Sequence, residues 1–277
     1  MKLFLPFAKR FIAGENLDQA SEQIQLLHHQ GFKVAVNLVG EQSNSIKEAL
    51  IAQKEYLRIL ELFQTDKLSL SIKPSMFGLS LSLDETFGFL KPITAKAFES
   101  GQTIRLDMED SKTTDSTIKL CQLLNQEFPN VMGITIQSNL YRTRNDLQTL
   151  KSQDISIRLV KGAYRENKEI AFMTSDEIKD NFVLLANNLK SYDSPEDAIA
   201  THDENILDLL TSSDDFNDIQ FEFLFGVRRD VQIKLLKDYR VGVYLPYGKN
   251  WLSYTVRRLS EWKNIEFIAK NIIKEKL

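Results

Sequence analysis

The chain has 277 residues, 43% hydrophobic and 26% charged, the balance of a globular protein with enough apolar side chains for a sizeable core. Its formal net charge of -3, with both signs interspersed, supplies no basic surface for nucleic acid. The single cysteine, Cys121, excludes an intrachain disulfide and points to a reducing compartment.

The start, residues 1–7, is apolar but interrupted by Lys2 and Pro6, too short for a signal peptide. No stretch approaches the roughly 20 apolar residues of a membrane span, so a cytoplasmic location is expected. A first helix is expected over residues 16–30, capped by Asn16 and stopped by Gly31, followed by a strand over 34–39 and a helix over 45–64. The alternation then repeats. Strands are expected at 68–73, 103–108, 133–138, 156–161, 198–202, 219–225 and 241–245. The intervening helices fall at 82–100, 114–128, 144–151, 175–190, 205–211 and 229–237, and a helical segment over 250–276, with a break near Lys263 and Asn264, closes the chain. Cys121 shares helical spacing with Ile118 and Leu124, which reads as a buried, inert thiol.

Eight strand-and-helix pairs behind one extra N-terminal helix, without a long linker, predict an α/β fold: a single (β/α)8 barrel domain spanning residues 1–277. No G-x-G-x-x-G follows the first strand, which disfavours a Rossmann dinucleotide site, and neither a P-loop nor a G-x-S-x-G elbow is present. Only three histidines exist, without H-x-H or H-E-x-x-H spacing, so a catalytic metal is not expected.

In such a barrel the site lies at the carboxyl ends of the strands. Those ends carry Lys73, then Asp107, Glu109 and Asp110, then Gln137. Arg158 and Lys161 follow on the fifth strand, Thr201, His202 and Asp203 on the sixth, Glu222 on the seventh and Tyr244 on the eighth. Any one of these has a plain packing or solvation explanation. Together they are hard to bury without partners or a ligand, because an unpaired buried polar group costs about 1–3 kcal/mol. Arg158 and Lys161, three apart, reach one site only if the Lys161-Gly162 step bends the strand end. Arg257 and Arg258, with Glu261 one turn on, are either a surface ion pair or a bidentate clamp for a carboxylate.

Arg-Leu-Val-Lys-Gly-Ala-Tyr at 158–164, Ala-Thr-His-Asp at 200–203, Tyr-Leu-Pro-Tyr-Gly at 244–248 and Arg-Arg-Leu-Ser-Glu at 257–261 together resemble proline dehydrogenase of the short, monofunctional bacterial type. Ser71-Ile72-Lys73, Arg105-Leu106-Asp107-Met108-Glu109, Gly226-Val227-Arg228 and the N-terminal Arg10-Phe11-Ile12-Ala13-Gly14-Glu15 extend the resemblance over nearly the whole chain. It implies FAD-dependent oxidation of L-proline to 1-pyrroline-5-carboxylate, the first step of proline degradation, with electrons passed to a membrane quinone, peripheral contact with the inner face of the membrane, and pyrroline-5-carboxylate dehydrogenase as functional partner. By the same resemblance Arg158 lies near the flavin N5 and Asp107 fixes the neighbouring cations. Met108, Gln137, Lys161, Gly162, Ala163, Thr201, His202, Glu222 and Glu261 would hold FAD. Lys73, Arg257 and Arg258 would take the substrate carboxylate, Leu159, Tyr164 and Tyr244 would wall the proline ring, and the last helix would fold over the barrel mouth. Two departures stand out: Gln137-Ser138-Asn139 where the family commonly reads Gln-Ala-Tyr, and Gln220-Phe221-Glu222 where Glu-Phe-Gln is usual. The rival readings are a Schiff-base aldolase using Lys161 or Lys73, and a non-catalytic or substrate-shifted relative.

Overall fold

In the computed structural model the described residues are 9–40, 45–64, 66, 68–192, 194, 196–212 and 214–252. Eight parallel strands close into a barrel in sequence order, the last pairing with the first. Helix α1 (Leu17–His29) precedes β1 (Lys33–Leu38), and α2 (Ile46–Leu62) leads to β2 (Ser69–Ile72). Then come α3 (Leu83–Ser100), β3 (Thr103–Leu106), α4 (Thr114–Glu127), β4 (Met132–Gln137), α5 (Thr143–Lys151) and β5 (Ser156–Val160). The series ends with α6 (Ser175–Leu189), β6 (Ala198–Ala200), α7 (Glu204–Leu210), β7 (Gln220–Leu224), α8 (Arg229–Leu235) and β8 (Val241–Tyr247).

The local chemistry accounts for these boundaries. Asn16, Ser45 and Ser82 each accept a backbone N–H of the helix they precede, satisfying a donor that the first turn leaves open. Gly101 ends α3 in the left-handed conformation. Strand alternation then sorts the side chains. Val34, Val36, Leu70, Ile72, Ile104, Leu106, Ile134 and Ile157 are buried in the layer between strands and helices, and Cys121 of α4 joins them there, its thiol pushed up in pKa by burial.

The residues of opposite parity fill the barrel with polar groups rather than the branched aliphatics usual in this architecture. Arg105, Asp107, Arg158 and Glu222 are all buried, as are Ser71 and Thr135. Two glycines accommodate their neighbours in this layer: a Cβ on Gly133 would collide with Ser156, and one on Gly242 would collide with Gln220, which donates to Glu222. At the amino-terminal end Lys151 pairs with Asp197 at 2.8 Å, and Asp197 also accepts the Ile157 amide at 2.7 Å.

The strand ends differ in detail from expectation. β6 is only three residues long, so Thr201 and His202 follow it in a loop, while β8 runs on through Pro246 to Tyr247 because β1 offers six partners from Lys33 to Leu38. No helix among the described residues is long and apolar enough to cross a membrane. Trp251 and Leu252 are helical. The rest of the expected closing segment, including Arg257, Arg258, Glu261 and the break near Lys263, lies outside the described residues.

Candidate active site

A cavity of about 920 Å³ opens at the carboxyl ends of the strands, near the upper end of the range for small-molecule sites. Its centre is Asp107, just past β3. Asp107 Oδ1 accepts from Ser71 Oγ at 2.6 Å and Arg158 Nη1 at 2.9 Å; Oδ2 accepts from Lys73 Nζ at 3.2 Å and the Tyr244 hydroxyl at 2.8 Å. Burial alone would raise the pKa of this carboxyl. The charges of Lys73 and Arg158, with the hydrogen bonds from Ser71 and Tyr244, outweigh it and hold Asp107 well below the usual carboxylate range.

Arg158 is the second hub. It points inward from β5, its guanidinium 5.3 Å from the centre of the Tyr244 ring and 2.6 Å from Glu222 Oε1. Burial works against its charge, yet Glu222 and Asp107 together raise its pKa. Glu222 in turn takes Arg105 Nη1 at 3.3 Å. The interior thus carries alternating charge: Lys73, Asp107, Arg158, Glu222, Arg105.

The rim is held differently. After Val160 the strand ends, and Gly162 at φ 105° turns the chain, so that both Arg158 and Lys161 line the cavity. A Cβ at 162 would collide with the Asn139 amide, so the position needs glycine both for its backbone conformation and for its neighbour. Lys161 Nζ reaches Asp203 Oδ2 at 2.5 Å, and Asp203 also caps α7. His202 Nε2 accepts the Leu224 amide at 3.3 Å, so in the neutral ring the proton sits on Nδ1. Gln137 donates to the Glu109 carbonyl at 3.0 Å, and both Glu109 carboxylate oxygens hold Ser75. Across the mouth, Ser111 donates its amide and hydroxyl to Glu166 at 2.8 and 2.5 Å, joining the loop after β3 to the loop after β5.

Of the residues singled out from the sequence, Lys73, Asp107, Met108, Gln137 and Arg158 line this cavity, and so do Lys161, Gly162, Ala163 and Tyr164. Thr201, His202, Glu222 and Tyr244 complete the wall. Leu159 does not. It is fully buried in the hydrophobic core and absent from the lining, because strand alternation sends it to the face opposite Arg158 and Val160; its expected place beside a substrate ring is corrected. Arg257, Arg258 and Glu261 lie outside the described residues. Ser71 and Arg105, quoted from the sequence only as parts of motifs, turn out to hold Asp107 and Glu222. Their signal was parity: each stands two residues before a strand-end residue already singled out, Lys73 or Asp107, and so on the same face of its strand.

A model of the proline dehydrogenase family matches residues 20–269. The chain belongs to the proline dehydrogenase family. Membership makes it an oxidoreductase that acts on proline. Proline dehydrogenase 1 of Bacillus subtilis (strain 168) is 32% identical over 277 residues, covering 97% of this chain and 91% of that protein. Proline dehydrogenase of Deinococcus radiodurans is 33% identical over 281 residues, covering 96% and 90%. Among solved structures, proline utilization A from Bdellovibrio bacteriovorus, inactivated by N-propargylglycine, superposes with a TM-score of 0.84 at 23% identity, a likeness of fold. It covers 96% of this chain, which spans 33% of that longer one.

Proposed function

We propose that this barrel domain oxidises L-proline to 1-pyrroline-5-carboxylate, with FAD in the barrel mouth and a membrane quinone as the final acceptor of the electrons. The observation that carries this reading is the cluster of Lys73, Arg158 and Tyr244 around one buried carboxylate at the floor of the cavity. Cations held this firmly suit an anionic, planar ligand and the carboxylate of an amino acid.

The residues fit FAD on two observations. Arg158 Nε is buried and has no hydrogen-bond partner among the described residues, leaving a donor for a ligand. Gly162 presents backbone without a side chain where Lys161 and Ala163 also face the cavity. Arg158, Gln137, Met108, the 161–163 turn, Thr201, His202 and Glu222 would hold the cofactor, Glu261 joining from the last segment. When bound, FAD supplies acceptance of a hydride from the ring carbon beside the amine. The protein's part is alignment. Lys73, with Arg257 and Arg258, holds the carboxylate; Tyr244 and Tyr164 wall the ring; Asp107 keeps Lys73, Arg158 and Tyr244 at fixed distances from one another. The product is consumed in turn by pyrroline-5-carboxylate dehydrogenase, and the quinone places the working enzyme at the inner face of the cell membrane.

A Schiff-base lysine is not favoured here, since Lys73 and Lys161 are both engaged by carboxylates rather than set in an apolar pocket. Anaerobic titration of the purified yellow protein with proline tests the proposal: the flavin band bleaches. Bleaching by another cyclic amine alone would reveal a shifted substrate, and no bleaching by any would mean a non-catalytic relative. Arg258→Ala raises the KM for proline; an unchanged KM would remove that arginine from the carboxylate site.

A further inference from the structure

Glu222 is the least expected group in the barrel. A carboxylate 2% exposed sits on β7 and lines the cavity floor, and its partners lie on three strands. Arg158 Nη2 lies 2.6 Å from Oε1, Arg105 Nη1 3.3 Å from Oε2, and Gln220, two residues earlier on the same strand, donates to Oε2 at 3.2 Å. Asp107 is the other anchor of Arg158, through Nη1. With Nη1 hydrogen-bonded on one side and Nη2 in charge contact with Glu222 on the other, the guanidinium is held from both ends, and Nε has no hydrogen-bond partner among the described residues.

Glu222 also lines a second, smaller cavity of about 140 Å³ bounded by Ser69, Arg105 and Gln220 toward the amino-terminal face. It is therefore the wall between the mouth and the barrel's lower half. A fixed anion here acts through a poorly screened interior on whatever charge gathers above it.

We infer that Glu222 is a positioning residue that clamps Arg158 from below and tunes the electron affinity of the acceptor held against that arginine. This rests on the flavin reading above. Adding electrons to a flavin builds negative charge. Arg158 favours that charge and Glu222 opposes it, so Glu222 keeps the reduced form from being over-stabilised. No other acidic side chain that touches Arg158 can substitute, because Asp107 is already shared with Lys73, Ser71 and Tyr244.

The test is the midpoint potential of the bound flavin, measured by dye equilibration in the full-length protein. Glu222→Gln shifts the two-electron equilibrium toward the reduced form by tenfold or more, ~30 mV positive. Because that variant leaves Arg105 and Arg158 short of a counter-charge, a second one, Gln220→Glu with Glu222→Gln, keeps the net charge and returns a carboxylate to the lower layer while leaving the cavity floor neutral. It shows a positive shift of the same sign but smaller, because the carboxylate now stands farther from the mouth and outside its lining, a result that a merely structural role would not produce. Wild-type potential in the double variant overturns the role of Glu222. A wild-type protein that takes up no flavin overturns the cofactor reading and this inference together, and the two failures are told apart by the colour of the wild type.

Discussion

Asp107 and Leu159 show how differently two buried residues near one cavity act. Replacing Asp107 by Asn leaves Lys73 and Arg158 short of counter-charge, and by the usual cost of breaking a buried pair it lowers stability by about 3–5 kcal/mol, read from urea unfolding at neutral pH. The pH dependence has a fixed sign. Because the folded pKa of Asp107 is depressed, its contribution is complete above the unfolded value of about 4 and is lost as pH falls below it toward the folded value. Wild-type stability therefore declines below about pH 4 more steeply than that of Asp107→Asn. Leu159→Ala costs about 2–5 kcal/mol as a core truncation and leaves the KM for proline unchanged; a raised KM with normal stability would return Leu159 to the substrate wall. The sequence placed Leu159 wrongly because its neighbour Arg158 reaches the cavity, whereas adjacency on a strand means opposite faces. It placed Lys161 among the cavity residues because the Lys-Gly step broke that alternation, a local cue that residue identity alone carries.

At the level of elements, the eight strands and the helices as far as Arg229–Leu235 were legible because hydrophobic periodicity and caps are local: Asn16 and Gly101 stand where the chain turns. Element ends were less so. The extension of β8 to Tyr247 depends on the length of β1, and the shortness of β6 on both its neighbours, which no window around residues 198–202 contains. Likewise the interior charges could be counted from the sequence but not paired. The turn after β5 is the most demanding local structure. Gly162→Ala forces a side chain into the left-handed region and against Asn139, a strain of about 1–3 kcal/mol; the variant melts lower and, on the proposed cofactor, purifies with less flavin per protein by absorbance. Cys121, buried between α4 and β4 with its thiol 3.7 Å from the Gly133 carbonyl, reacts with a thiol reagent only on unfolding; modification of the native protein would contradict that placement.

Over the whole molecule the two ends of the barrel divide the work. Lys151 and Asp197, buried at the amino-terminal end, pair with each other, and among the described residues Asp197 is further influenced by the Ile157 amide and the charge of Arg105. Lys151→Met lowers stability by about 3–5 kcal/mol while, on the proposed function, proline still bleaches the flavin of the folded fraction; loss of bleaching in well-folded protein would show the two ends to be coupled. Closure of the ring has a consequence for how the protein is made. The six-residue ladder between β1 and β8 joins segments some two hundred residues apart, reinforced where the Ala13 amide reaches the Pro246 carbonyl and the Gly248 amide reaches Gly14. A nascent chain on the ribosome therefore carries β1 as an open edge until β8 has been made, and seven strands with two raw borders must be kept from neighbouring chains until the eighth emerges.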